Sequence, residues 1–256
     1  MGERTSHPPG TLSWADLATS DAEGTKRFYG ELLGWEYEDL PVGDGQVYTM
    51  ARVGGLEVAA LSQAADQPPH WNVYVTVDEA DAAAARAAEL GGTVLAEPFD
   101  VFEAGRMAVV QDPTGAILSA WQPGQSIGAR LVNATGAMTW ADVLTPDADA
   151  ASRFYGAWLG WTVEEVPQAQ GYRIITNGGR SNGGMQPLAP ELLGPDARPG
   201  WTPFFGVPDV EAARGQVDEL GGRVLVGPVP VPNGTFAVIS DPQGAVCALW
   251  AGTYDD

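Results

Sequence analysis

The chain has little of what builds cross-links and metal centres. Among its 256 residues there is one cysteine, Cys247, and there are two histidines, His7 and His70. A lone cysteine excludes an intramolecular disulfide and fits a reducing compartment, so the expected location is the cytoplasm. So few histidines leave neither half of the chain able to assemble a two-histidine metal site. Basic residues are also scarce: 13 Lys and Arg stand against 33 Asp and Glu, a net charge of −20. A phosphate backbone would be repelled, which argues against a nucleic-acid partner. The acidic surplus keeps the chain soluble, and on a sharper reading it attracts a cationic small molecule. No apolar run is long enough to span a membrane. Residues Met1–Gly10 lack the apolar stretch of a signal peptide and read as a loose lead-in.

What the chain does have is repetition. Trp14-Ala15-Asp16 returns as Trp140-Ala141-Asp142, and Arg27-Phe28-Tyr29-Gly30 as Arg153-Phe154-Tyr155-Gly156. Leu33-Gly34-Trp35 returns as Leu159-Gly160-Trp161, so all three motifs keep an offset of 126 residues. Glu89-Leu90-Gly91-Gly92 matches Glu219-Leu220-Gly221-Gly222, and the Asp112–Ala116 segment matches Asp241–Ala245. So many matches in one order mean a tandem duplication. Each copy divides again, because Asn72–Gly91 and Thr202–Gly221 repeat the strand, helix and glycine stop of Trp14–Gly34 and Trp140–Gly160. The expected organisation is a first domain at 10–123 (modules 10–64 and 69–123), a flexible linker at 124–135, and a second domain at 136–252 (modules 136–190 and 199–252).

Local signals give each module its elements. Ser20 and Glu23 have capping-box spacing ahead of a helix that carries Phe28, Leu32 and Leu33 on one face. Gly34 can supply the left-handed stop, and Pro146 suits a first helical position. Ala82–Ala85 are strong helix formers. Gln46–Arg52, Leu56–Leu61, Met107–Gln111 and Ile117–Trp121 read as strands, the last two joined by the Asp112–Gly115 turn. Asn182-Gly183-Gly184 and Asn233-Gly234 read as turns.

Four βαβββ modules, each pair opened by Trp-x-Asp and carrying Arg-Phe-Tyr-Gly-x-x-Leu-Gly-Trp and Asp-Pro-x-Gly, resemble the vicinal oxygen chelate superfamily. That superfamily includes glyoxalases, bleomycin-resistance proteins and extradiol dioxygenases. The tandem arrangement is most similar to its two-domain actinobacterial members. The resemblance covers about residues 10–252 and implies an α+β fold of two tandem domains, with the four modules forming two curved mixed-sheet cups. Two pairings of the modules are open: first with fourth and second with third, or neighbours with neighbours.

In metal-dependent members, side chains of the first and last strands of paired modules chelate a divalent cation. Carried onto this chain, those positions are Trp14, Asn72 (Trp71 if the register moves by one) and Ser119, and in the second copy Trp140, Thr202 and Ala248. The remaining positions fall at Ala60 or Leu61 and at Gly184 or Met185. None of these offers thiolate, imidazole or carboxylate, so no metal is expected.

Strand alternation then fills the cups. Trp14 brings Asp16 inward, and Trp140 brings Asp142. Asn72 brings His70, Tyr74 and Thr76; Thr202 brings Phe204; Ser119 brings Trp121; Ala248 brings Trp250. Trp71 and Trp201 flank the cups as rim or packing residues, and Cys247 points to the helix side. An aromatic lining with a few polar groups is the character of an organic-ligand site. Asp16 and Asp142 have two readings: partners of backbone or of an arginine such as Arg106 or Arg173, or anchors or general bases.

The leading expectation is a metal-independent binding protein of the bleomycin-resistance type, which sequesters a flat aromatic natural product or drug, cationic on the sharper reading. The alternative is a metal-independent enzyme of secondary metabolism, lyase, isomerase or oxygenase-like, with Asp16, Asp142 or His70 as acid or base. A soluble flavin or nicotinamide is a third option, but no glycine-rich fingerprint supports a built-in cofactor. A fourth is a duplicate whose cups are filled by its own side chains. One chain supplies all four modules, so either a monomer or a homodimer would serve.

Overall fold

A computed structural model of the chain describes residues 2–43, 45–167, 169–188 and 197–254. Met1 and the closing residues of the third module, 189 and 190, lie outside the described residues. The first module runs β1 (Leu12–Thr19), α1 (Ala22–Leu33), β2 (Glu36–Gly43), β3 (Gln46–Val53) and β4 (Leu56–Gln63). The second runs β5 (His70–Thr76), α2 (Ala80–Glu89), β6 (Thr93–Val101), β7 (Gly105–Gln111) and β8 (Ile117–Pro123). The third has β9 (Met138–Thr145), α3 (Ala148–Leu159), β10 (Thr162–Glu165), β11 (Arg173–Asn177) and β12 (Arg180–Pro187). The fourth has β13 (Gly200–Gly206), α4 (Val210–Glu219), β14 (Arg223–Val231), β15 (Gly234–Ser240) and β16 (Val246–Gly252).

The sheets join neighbouring modules. One eight-stranded sheet has the order β2-β3-β4-β1-β5-β8-β7-β6, the other β10-β11-β12-β9-β13-β16-β15-β14. In each, the two first strands meet antiparallel at the centre and each pairs in parallel with the last strand of its own module.

The hydrophobic cores join the modules the other way. Ala15, Leu17, Phe28, Tyr29 and Trp35 of the first module share one core with Phe205, Val217, Ile239 and Leu249 of the fourth. Val73, Val75 and Leu118 of the second share another with Phe154, Tyr155, Trp161 and Ile175 of the third. Both pairings that the sequence left open therefore exist, one through strand hydrogen bonds and one through helix-side packing. Burial of each large side chain in these cores contributes about 1.5–3 kcal/mol, so the two halves depend on each other.

The repeated motifs act as connectors between the halves. The Tyr29 hydroxyl donates to Asp241 Oδ2 at 3.4 Å, while Asp241 Oδ1 accepts three backbone N–H groups of its own hairpin. In the mirrored seam Asp112 Oδ1 holds its hairpin and Thr145 Oγ1 donates to Thr114 Oγ1 at 2.9 Å, while within the second half Trp201 Nε1 donates to the Tyr155 hydroxyl at 3.0 Å. Trp35 Nε1 donates to the Gly136 carbonyl at 2.6 Å, and Trp161 Nε1 to the Gly10 carbonyl at 2.7 Å. Each of these tryptophans ties its helix to the segment that leads into the other half.

Several local expectations are corrected. Asp21, not Ser20, caps α1, accepting from the Gly24 N–H, so the Ser20–Glu23 box does not form. Asp147 caps α3, which leaves Pro146 outside the helix. Gly34 and Gly160 do end α1 and α3, at φ of 71° and 73°, a conformation that costs glycine least. Asn182-Gly183-Gly184 is part of β12 rather than a turn, because the Asn182 side chain bonds the Leu12 N–H and the Gly10 carbonyl. The lead-in is not loose. Arg4 N–H bonds the Arg130 carbonyl, Gly10 N–H bonds the Thr76 carbonyl, and His7 is buried with Nε2 2.7 Å from the Ala129 carbonyl. The linker is likewise fixed, with Ala129 N–H on Ser13 and Arg130 N–H on Glu57.

Candidate functional site

At the centre of each sheet the register sets the lining of the cup. Asp16 lies opposite Asn72 on β5 and Ala60 on β4, and Trp14 opposite Tyr74, which is level with Ser119 on β8. In the second sheet Asp142 lies opposite Thr202 and Gly184, and Trp140 opposite Phe204, which is level with Ala248. Leu61 and Met185 are buried in the helix-side cores, so Ala60 and Gly184 are the residues that face the cups.

In the first cup Asp16 is buried and takes three hydrogen bonds. Asn72 Nδ2 donates to Oδ1 at 2.8 Å; the Tyr48 and Tyr74 hydroxyls donate to Oδ2 at 3.0 and 2.7 Å. Trp14 Nε1 donates in turn to the Tyr48 hydroxyl at 3.1 Å. Burial pushes the Asp16 carboxyl above the ordinary aspartate range, while Asn72, Tyr74 and Tyr48 hold it down. Trp14, Ala60, Tyr74 and Trp121 pack with Ala129 of the linker into one apolar cluster, and Trp121 Nε1 donates to the Ser126 carbonyl.

The second cup keeps the carboxylate and loses part of its support. Trp140 Nε1 and the Tyr172 hydroxyl both donate to Asp142 Oδ1, at 2.8 and 3.0 Å. Thr202 and Phe204 stand where Asn72 and Tyr74 stand in the first cup, and among the described residues nothing donates to Asp142 Oδ2. Burial raises this carboxyl to about 6 against the weaker pull of Trp140 and Tyr172. A Cβ at position 184 would collide with Tyr172 Oη and Asp142 Oδ1, so glycine is what admits the tyrosine to that oxygen. Phe236 lies 5.9 Å from Phe204, and Trp140, Tyr172, Phe236 and Trp250 are each partly exposed.

The structure thus brings Trp14, Asp16, Asn72, Tyr74, Ser119 and Trp121 to one cup, and Trp140, Asp142, Thr202, Phe204 and Trp250 to the other. His70 is not among them. It is exposed at the start of β5, with Nδ1 on the Pro68 carbonyl, and it reaches Asp16 only as a favourable charge. Neither aspartate meets an arginine: Arg106 pairs with Asp81 and Asp100, and Arg173 with Asp149. Trp71 and Trp201 belong to the helix-side cores, as does Cys247, whose thiol burial pushes up to about 12. Tyr48, Tyr172 and Phe236 were not singled out from sequence. The two tyrosines do recur in equivalent strands, β3 and the lead into β11, but slightly off the constant offset of the stronger motifs. Two shallow surface depressions lie at the seams between halves, one by Gly221, Asp241 and Gln243, the other by Leu90, Pro113 and Phe154. The first is rimmed by Arg223, Ser240 and Gln243 beside Asp241, whose Oδ1 is taken by its own hairpin, and the second is mostly apolar.

The donor set does not fit a divalent metal. Each cup offers indole, phenol, amide or hydroxyl groups and one carboxylate, and both oxygens of Asp16 are already taken. Among the described residues no three His, Cys, Asp or Glu side chains converge. Among those residues no helix is long and apolar enough to cross a membrane.

The chain belongs to the Glyoxalase/Bleomycin resistance protein/Dioxygenase superfamily, whose family model matches residues 11–119 and again 137–249. It is 40% identical over 259 residues to "Putative glyoxylase CFP32" of Mycobacterium tuberculosis, covering 97% of each chain. It is 32% identical to "Anthracycline biosynthesis protein DnrV" of Streptomyces peucetius, covering 94% of this chain and 93% of that one. Solved structures share the fold at low identity. A Mn(II)-bound glyoxalase from Novosphingobium aromaticivorans has a TM-score of 0.67 at 16% identity, covering 98% of this chain and 83% of that one. A 2,2',3-trihydroxybiphenyl 1,2-dioxygenase from Sphingomonas wittichii has 0.68 at 14%, covering 97% and 92%.

Proposed function

We propose that this chain binds a flat aromatic small molecule in an aromatic cup built around a buried aspartate, with no metal in the site. The observation that carries the reading is the Trp-x-Asp pair of β1 and β9. In both sheets it sets an indole and a buried carboxylate side by side at the centre, where metal-dependent relatives of this fold place ligands. Aromatic walls supply stacking area, and a carboxylate with no arginine partner gives an orienting anchor. Two relatives named for anthracycline biosynthesis support a ligand from secondary metabolism, since anthracyclines are flat polycyclic aromatics. Antibiotic resistance by sequestration is one setting for such binding.

A specific observation also favours chemistry. Asp142, at about 6 and with Oδ2 free of described donors, can take a proton from a phenol or an activated C–H and return it. The two readings separate in one experiment. Tryptophan fluorescence is titrated with a panel of anthraquinones and other flat aromatics, and each compound is recovered and analysed after long incubation. Saturable quenching with the compound unchanged is the expected result. Conversion of a bound compound would replace sequestration by catalysis, and no quenching across the panel would overturn the proposal.

A further inference from the structure

We infer that the second cup alone takes the ligand, that the first is closed by the chain's own side chains, and that the ligand is a flat aromatic carrying a protonated amine. The inference rests on the reading of the cups as aromatic-ligand sites and says which cup works and what it selects.

The two cups share a frame, and two of the positions at which they differ set the hydrogen bonding of the aspartate. In the first, Asn72 and Tyr74 complete the hydrogen bonding of Asp16, so the carboxylate has nothing left to offer. Trp14, Tyr74 and Trp121 are each about nine-tenths buried, and the linker seals them: Ala129 is fully buried against them, and Ser126 takes the Trp121 indole N–H. His7 fastens that linker from the N-terminal side through the Ala129 carbonyl. The first cup is therefore a small core.

In the second cup the same two positions are Thr202 and Phe204. Neither donates to Asp142, which is buried like Asp16 but keeps Oδ2 without a described partner. Trp140, Tyr172, Phe236 and Trp250 line this cup with part of their surface free. A buried carboxylate with an open oxygen lacks a compensating cation, because Arg173, the basic residue carried on β11, is turned to Asp149 and Ser152. An ammonium or protonated ring nitrogen would supply that charge, and the indole and phenyl faces would hold the cation and its ring system.

Titration calorimetry of the intact chain with proflavine, a flat aromatic cation, tests this. One site per chain is expected. Asp142→Asn should weaken it about 10- to 100-fold, the loss of one charge-assisted contact, and should leave binding of neutral anthraquinone within about twofold. The double variant Thr202→Asn/Phe204→Tyr gives the second cup the plug of the first and should abolish the site. The reciprocal Asn72→Thr/Tyr74→Phe should open no second site, because the linker and Trp121 still seal the first cup. If a double variant does not fold, the isosteric Asp142→Asn still decides. Two equal sites in the unaltered chain, or proflavine binding indifferent to Asp142, would overturn the inference and leave the aromatic-cup reading standing. So would binding of anthraquinone but not proflavine. Binding of neither compound would remove the aromatic-cup reading itself.

Discussion

Replacing Asp142 with asparagine should stabilise the folded chain at neutral pH and change nothing in acid. Trp140 and Tyr172 both donate to Oδ1, and an asparagine carbonyl keeps that acceptor. The amide nitrogen replaces Oδ2, which no described residue engages. What the substitution removes is the cost of a buried charge. Lifting a carboxyl from 3.8 to about 6 corresponds to about 3 kcal/mol against the ionised folded state, and that is a ceiling. The sign follows from the order of ionisation. Below the unfolded value both states hold the proton and the residue contributes nothing. As pH rises from about 4 to 6 the unfolded chain ionises first, so stability falls, and the whole cost is present above about 6. The difference in unfolding free energy between Asp142→Asn and the native chain should therefore be near zero at about pH 4 and about 1–3 kcal/mol in favour of the variant at about pH 8. Urea melts at several pH values measure it, and subtraction cancels every other titrating group. A variant less stable at alkaline pH, or a difference that does not move with pH, would refute the reasoning. Asp16→Asn is the contrasting case. Both Asp16 oxygens accept hydrogen bonds, so the amide must meet a donor, and a loss of about 1–3 kcal/mol is expected.

Other outcomes follow from the same geometry. Gly184→Ala should push Tyr172 off Asp142 and cost about 1–3 kcal/mol in urea denaturation, whereas Ala60 already stands at the equivalent place. Tyr155→Phe strips the acceptor from the buried Trp201 indole N–H and should cost about 1–3 kcal/mol. Residues 1–123 expressed alone expose the helix-side faces of both cores, so size-exclusion chromatography with light scattering should show a dimer or larger species; a stable monomer would contradict the shared cores.

The architecture was legible because it is written in short-range signals. Phe28 and Leu32 at helical spacing, Gly34 at the stop and Asp112–Gly115 at the hairpin specify a module, and repetition multiplies them. Alternation along β1 and β9 placed Trp14 with Asp16 and Trp140 with Asp142. Module pairing was not legible, because it depends on which strand edges and which helix faces meet. The four modules present nearly the same pattern on both. The helix cap was missed by one residue, since Ser20 and Asp21 are adjacent and both good caps, and only the approach of the Gly24 N–H selects Asp21. Asn182-Gly183-Gly184 reads as a turn by composition, yet two hydrogen bonds from Asn182 to the segment leading into β1 hold it in a strand. Tyr48 on β3 and Tyr172 just before β11 complete the cups at places whose register no local rule fixes.

The cup around Asp142 should hold an aromatic ligand without a metal. This is tested most directly by calorimetric titration of chelator-treated protein with proflavine and with anthraquinone, repeated after adding back manganese, iron or zinc. Saturable binding in the chelated protein, unchanged by any of the metals, is the expected result. Binding that appears only when a divalent metal is restored would contradict the account.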